Sequence, residues 1–204
     1  MLNELHKDAL TEIINIGVGQ AGNSLNAMLA MHVELSVPEI RVLQMEQAQE
    51  ELSLLNTSSL ASVVLRFSGP VPGKAALLFP PESALNLVTL LVQEEPGDLD
   101  LDSMRSAALT EIGNIVLNSV LGNFANFLHM DLEYSLPDFM FESSIHDLLE
   151  QDIAENGYAV ILAKAHFRVS EHSIAGDILL LFGISSMEEL SRLLEIVVRE
   201  QSGQ

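Results

Sequence analysis

The chain has no cysteine, which excludes disulfides, thiolate nucleophiles and Cys-ligated zinc or iron–sulfur centres. Basic residues are scarce: 9 Lys+Arg stand against 29 Asp+Glu, a formal net charge of -20. A surface this acidic repels phosphate backbones and anionic lipids, so neither nucleic acid nor a membrane is an expected partner. Such acidity either keeps a protein soluble or steers a partner with a basic patch, and composition does not separate the two. Long apolar runs are missing as well, and none approaches the length that spans a bilayer. The opening MLNELHKDAL has neither the basic region nor the apolar stretch of a signal peptide, which makes the cytoplasm the expected location. None of the six histidines falls in H-E-x-x-H or another close metal-binding spacing. His32 and His129 stand instead at the ends of two long helical patterns, where an imidazolium favours the C-terminal dipole.

What is present is a core and a repeat. With 204 residues, 48% of them apolar, the chain can bury one sizeable core or two small halves that share one. DALTEIINIG, from Asp8 to Gly17, returns as SAALTEIGNI, from Ser106 to Ile115. Between Ala9 and Ile40, 12 positions are identical to their counterparts 99 residues later. Most are core-type residues, such as Leu10/Leu109, Ile13/Ile112 and Ile16/Ile115, which packing alone would keep. Glu12/Glu111 and Asn15/Asn114 are not, and packing gives no reason to keep a carboxylate and an amide together. The repeat predicts a single domain over 1–204, built from pseudo-repeats at about 1–95 and 100–200.

The apolar periods predict the elements. A helix is expected over 4–31 with Asn3 as N-cap, and its Ile13 and Ile16 should face a sheet, as should Ile112 and Ile115 of the second copy. Val33, Leu35 and Val37 alternate as a strand that Pro38 turns into an edge or a bend, with 40–45 continuing extended. Strands are expected at 60–67 and 74–79, then a helix opened by Pro81 with Leu85, Leu87, Leu90 and Leu91 as its apolar stripe. After an acidic junction at 94–102, the order repeats: a helix over 103–129 capped by Asp102, a strand at 132–136 ending at Pro137, an extra short helix at 143–156, strands at 158–167 and 174–182, and a last helix capped by Ser186 with Glu189 in capping-box position. This is not the alternating order of a doubly wound sheet. The expected class is α+β: a mixed, largely antiparallel sheet with helices packed on it, in two pseudo-symmetric halves.

Gly17-Val18-Gly19-Gln20-Ala21-Gly22 matches G-x-G-x-x-G, but a dinucleotide site needs a strand before the glycines. Here the preceding residues already follow a helical period, and the second copy has Val116, Asn118 and Leu121 at the matching positions. The glycines read as a device for close helix packing, at some backbone cost.

Glu and Asn at i, i+3 share a helix face, since the advance is about 300°. Asn is neutral and cannot act as a general base, but it can hold a water or a planar acceptor in a fixed place. Hydrolysis of a labile acyl phosphate needs orientation of this kind, and a Glu beside it could hold a partner's lysine in register. The alternative is that Glu12 and Glu111 are solvated helix residues and that Asn15 and Asn114 bond locally to the backbone.

These residues resemble the CheC class of chemotaxis phosphatases, related to CheX and FliY. The family signature is Asp or Ser, three residues, Glu, two residues, Asn, twenty-two residues, Pro. The first copy meets every position with Asp8, Glu12, Asn15 and Pro38. The second has Glu111, Asn114 and Pro137, but Ala107 at the first position, with Ser106 one place early. The resemblance covers nearly the whole chain. It implies a CheC-like fold and a phosphatase of the two-component type, acting on the aspartyl phosphate of a phosphorylated CheY-like receiver in chemotaxis. It also implies roles: Glu12 and Glu111 contact the receiver's active-site lysine, and Asn15 and Asn114 orient the attacking water. Asp8 and the two prolines shape the helix and strand bend that display each pair. The receiver brings the Mg²⁺, so no cofactor or metal site of the chain's own is expected. Both pairs are expected to work, with strengths free to differ. Some family members bind a CheD-like deamidase, a second partner the resemblance allows, with 143–156 placed where an insertion could serve it. With 204 residues, a soluble CheC-like protein is expected rather than a flagellar-switch component of the FliY kind. The other class of function left open is a non-catalytic adaptor for a receiver or a deamidase, since the middle domain of FliM resembles this fold without the Glu/Asn pairs. A small-molecule enzyme finds little support, for want of thiols, metal clusters and a nucleotide motif in context.

Overall fold

Asn3 caps α1, Glu4–Leu29: its backbone is extended, and its Oδ1 accepts the His6 amide at 2.8 Å. The computed structural model describes residues 2–44, 47, 50, 60–92, 101–143, 158–169 and 172–201. After α1 come β1 (Val33–Gln44), β2 (Leu60–Ser68), β3 (Gly73–Phe79) and α2 (Pro81–Val92). The second half follows with α3 (Leu101–Phe127), β4 (Glu133–Tyr134), β5 (Asp138–Ser143), β6 (Tyr158–Val169), β7 (His172–Gly183) and α4 (Ile184–Gln201).

The seven strands form one sheet in the order β1-β6-β7-β3-β2-β4, with β5 also paired to β2. Every pairing is antiparallel, so the expected mixture resolves to a purely antiparallel sheet among the described residues. The first strand of each half crosses to the other half: β1 pairs with β6, while β4 and β5 pair with β2. Exchanging β1 with β4/β5, β2 with β6 and β3 with β7 reverses the order and leaves the pairings unchanged. β1 is an edge strand, and its register shifts between Ser36 and Glu39, the stretch that holds Pro38.

Alternation along the strands sorts the core into two faces. Val63, Leu65, Leu77, Phe79, Ile161, Ile178, Leu180 and Phe182 join residues of α1, α2, α3 and α4 in the main cluster. Leu60, Val64, Ala76, Leu78, Val160, Leu162, Leu179 and Leu181 form a second cluster on the opposite parity. Because both parities are buried, the central strands read as unbroken apolar runs. Each such side chain, fully buried, stabilises by roughly 1.5–3 kcal/mol. From the helices, Ile13, Ile14 and Ile112 are buried in the main cluster and Ile115 packs on it half-buried, whereas Ile16, expected to face the sheet, is half-buried and lies outside that cluster.

Several expectations are corrected. α3 begins at Leu101, so Asp102 lies inside the helix rather than capping it. α4 begins at Ile184 directly after β7, which puts Ser186 in its first turn, buried, and leaves Glu189 paired with Arg192 at 2.6 and 2.9 Å instead of closing a capping box. With no loop between strand and helix, the first turn starts before the predicted cap. Leu85 of α2 is 48% exposed; Ala84, Leu87 and Val88 make the buried stripe. The strand expected at 132–136 is only Glu133–Tyr134, and a separate strand, β5, follows Pro137. Of the expected helix at 143–156, Ser143 belongs to β5 and the rest lies outside the described residues, as does most of the acidic junction at 94–102.

The long helices end alike. Ala30 after α1 and His129 after α3 are the non-glycine residues with positive φ among those described, at 50° and 51°, and they lie 99 positions apart. At the second end, Met130 donates its amide to the Ala125 carbonyl at 3.0 Å and His129 to Asn126 at 3.2 Å, a Schellman closure with His129 in the left-handed position.

Candidate functional site

α1 and α3 lie against each other in the main core layer. Gly17 makes the approach possible: a Cβ there would lie 2.7 Å from the Val120 Cα and 3.0 Å from the Ser119 carbonyl oxygen. Beside this point Asn123, buried, donates its amide to Gln20 Oε1 at 2.7 Å and to the Ser119 carbonyl at 2.9 Å, which ties the two helices by a polar contact. Gly22 is close to Leu35 Cβ at 3.4 Å, while Gly19 has open space around it. Of the three glycines in the G-x-G-x-x-G string, only Gly17 and Gly22 serve packing. All three are inside α1 with no strand leading in, as the period predicted.

Glu12 and Asn15 stand on the exposed side of α1, behind buried Ile13 and Ile14. Asp8, also exposed, lies one turn earlier on the same stripe. Glu12 and Asn15 make no hydrogen bond or ion pair among the described residues. Next to Glu12, the Thr11 hydroxyl donates to the Lys7 carbonyl at 2.8 Å. The second copy repeats this bond: Thr110 donates to the Ser106 carbonyl at 2.6 Å, beside exposed Glu111. Such back-bonding holds each threonine hydroxyl against its own helix.

The second pair differs in its amide. Asn114 is half-buried, and its Oδ1 accepts a hydrogen bond from Asn118 Nδ2 at 2.6 Å. Gly113 beside it is pressed onto the sheet: a Cβ there would meet Val63 Cβ at 2.5 Å. Ala107, the departure from the signature, is exposed. The structure thus puts each Glu/Asn pair on one helix face, one pair on each of two touching helices. Pro137 sits half-buried between β4 and β5. Asn118, an amide one turn beyond Asn114 where the first copy has Gly19, is the added polar neighbour of the second pair.

Among the described residues no group of three or more His, Asp or Glu is arranged to hold a metal. No helix there is long and apolar enough to cross a membrane. A cavity of about 450 Å³ lined by Asn126, Phe127, His129, Val197 and Glu200 lies between the end of α3 and α4, apart from both pairs.

Two long helices laid on an antiparallel sheet each carry a carboxylate and an amide on one face. Comparison with known proteins finds relatives of this arrangement. Residues 5–41 match the CheC-like family. The chain is 25% identical over 196 residues to the CheY-P phosphatase CheC of Bacillus subtilis, covering 93% of each. Its fold is similar to that of Thermotoga maritima FliY, with a TM-score of 0.75 at 15% identity over 97% of this chain and 99% of that one. It is also similar to a chain of the CheX-CheY-BeF3-Mg complex from Borrelia burgdorferi, with a TM-score of 0.51 at 21% identity over 84% and 98%. Along nearly its whole length the chain is thus similar to CheC, and in fold to FliY and CheX.

Proposed function

We propose that this chain is a protein phosphatase that hydrolyses the aspartyl phosphate of a phosphorylated CheY-like receiver. The observation that carries the reading is the two Glu/Asn sets on α1 and α3, both carboxylates exposed, in a chain matched along 93% of its length to a protein named for CheY-P dephosphorylation. In the reaction, the oxygen of a water attacks phosphorus, the bond from phosphorus to the aspartyl oxygen breaks, and inorganic phosphate and a free carboxylate leave. The carboxylate is a good leaving group, so what the enzyme must supply is mainly the position of the water. Asn15 or Asn114 orients that water, and Glu12 or Glu111 holds a lysine of the receiver in register. The receiver contributes the phosphoaspartate and its Mg²⁺, whose chemistry is to neutralise charge on the phosphoryl oxygens.

We also read the chain as an internal duplication forming one domain. The reading is supported by the exchangeable strand order, by the matched Thr11/Thr110 bonds and by the matched left-handed residues at Ala30 and His129. A cytoplasmic location and a CheD-like deamidase as a second partner complete the proposal; the net charge of -20 suits partners that present basic surface.

The test is dephosphorylation of phosphorylated receivers with Mg²⁺ present, comparing the wild type with the Asn15→Ala/Asn114→Ala double variant. Faster phosphate loss that disappears in the double variant is the expected result. Receiver binding without acceleration would replace the phosphatase with an adaptor.

A further inference from the structure

The two Glu/Asn pairs differ in one neighbour. One turn beyond Asn114, Asn118 donates Nδ2–H to Asn114 Oδ1 at 2.6 Å, and both side chains are half-buried. The position 99 residues earlier is Gly19, which is exposed and has no side chain to offer Asn15. We infer that Asn118 is a positioning residue that holds the Asn114 amide in its working orientation, so that the α3 pair is pre-set and the α1 pair is not. The inference rests on the phosphatase reading for what the amide is used for; the hydrogen bond itself does not depend on it.

The chemistry follows from what a primary amide can do. Asn114 has one oxygen with two lone pairs and two amide hydrogens. The bond from Asn118 takes one lone pair and fixes the plane of the group. The second lone pair and both hydrogens stay available for a water or for an acceptor on a docked receiver. An amide already fixed loses no rotational freedom when the water is placed, whereas Asn15 must be ordered during each turnover. A single neutral hydrogen bond of this kind changes an equilibrium by about two- to tenfold. That sets the size of the expected effect.

Two substitutions separate positioning from structure. Asn118→Asp keeps the shape but, ionised, cannot donate to Asn114 Oδ1. Gly19→Asn offers the α1 pair the missing partner, and a Cβ at position 19 meets nothing within 4 Å. The experiment measures kcat and KM on a phosphorylated receiver in single-pair backgrounds. In Asn15→Ala, which leaves the α3 pair, both Asn118→Ala and Asn118→Asp are expected to lower kcat about two- to tenfold with KM unchanged. In Asn114→Ala, which leaves the α1 pair, Gly19→Asn is expected to raise kcat by a similar factor. Side-chain amide relaxation by NMR gives a readout without turnover: Asn114 should be more ordered than Asn15, and should fall to the level of Asn15 in Asn118→Ala. Equal order of the two amides in the wild type, or full kcat in Asn118→Asp, overturns the inference. If turnover is lost in Asn15→Ala/Asn114→Ala yet untouched by the Asn118 variants, the inference about Asn118 fails and the phosphatase stands. If the double variant turns over like the wild type, the phosphatase reading fails, and with it the part of Asn118 in the reaction.

Discussion

Three glycines in one helix should answer the same substitution in three ways. Replacing Gly by Ala in a helix interior stabilises by about 0.8–1.0 kcal/mol from propensity alone. At Gly19 nothing opposes that gain, because a Cβ meets no atom within 4 Å. At Gly17 the added carbon would sit 2.7 Å from the Val120 Cα and 3.0 Å from the Ser119 carbonyl. Carbon–carbon contacts relax at about 3.5–4.0 Å, so α1 and α3 would have to separate locally by about 1 Å. Both opposing atoms are backbone, so no rotamer change relieves the clash. Overpacking of this kind costs about 1–3 kcal/mol, and here the upper end applies. Gly17→Ala is therefore expected to destabilise by about 2 kcal/mol net of propensity, and Gly19→Ala to stabilise by about 1 kcal/mol. Gly22→Ala, 3.4 Å from Leu35 Cβ, should fall between them. Urea titrations read by circular dichroism measure this as a shift in midpoint at constant slope. A midpoint for Gly17→Ala equal to or above that of Gly19→Ala would refute the account of how the two helices meet.

Two further outcomes follow from particular side chains. His129→Gly should stabilise by about 0.5–1 kcal/mol in the same titration, because glycine takes the left-handed closing position without strain, and the exposed contact it gives up, His129 to Glu200 at 3.4 Å, contributes little; a destabilised variant would refute it. Hydrogen bonds from His6 and then from Arg199 hold the Glu195 carboxyl below its ordinary value of 4.5; a depressed carboxylate contributes stability above its unfolded pKa that is lost as pH falls through the folded one. The stability gap between wild type and Glu195→Gln should therefore shrink as pH drops below 4.5, and a gap that stays constant in acid would contradict it.

How much of this was legible in the sequence depended on whether the cause was local. Asn3, Pro81 and the period of Leu10, Ile13 and Ile14 fix helices by short-range rules, and α1 and α2 came out where those rules put them. That Glu12 and Asn15 share a face needed only the helical advance per residue. Ser186 misled because its cap rule assumes a loop before the helix, and β7 runs straight into α4. Leu85 misled because hydrophobicity says nothing of which side of α2 meets the sheet, a choice made by Ala84, Leu87 and Val88 packing on distant strands. The crossing of β1 to β6 and of β5 to β2 was not legible at all, since those partners lie more than a hundred and more than seventy residues apart and no local pattern names them.

The features that coincide at the 99-residue spacing and those that do not belong to different layers of the molecule. Backbone events coincide: the threonine back-bonds and the left-handed closures, each fixed by how a long helix must lie and end on the sheet. Packing at the helix faces does not: Gly17 meets Val120, and Gly113 meets Val63, at positions that are not 99 apart. Neither does the polar surroundings of the amides, free at Asn15 and bonded at Asn114. Two helices in contact cannot both place the same residue at the crossing unless the symmetry is perfect, so the small residue needed for close approach falls at Gly17 on one helix only. Once α3 is seated on Val63 through Gly113 rather than through a larger side chain, Asn114 sinks to half-buried while Asn15 stays exposed. A partly buried amide lacks full access to water and needs an internal partner, which Asn118 supplies. The difference between the two pairs thus begins in the seating of the helices and reaches the amides through packing.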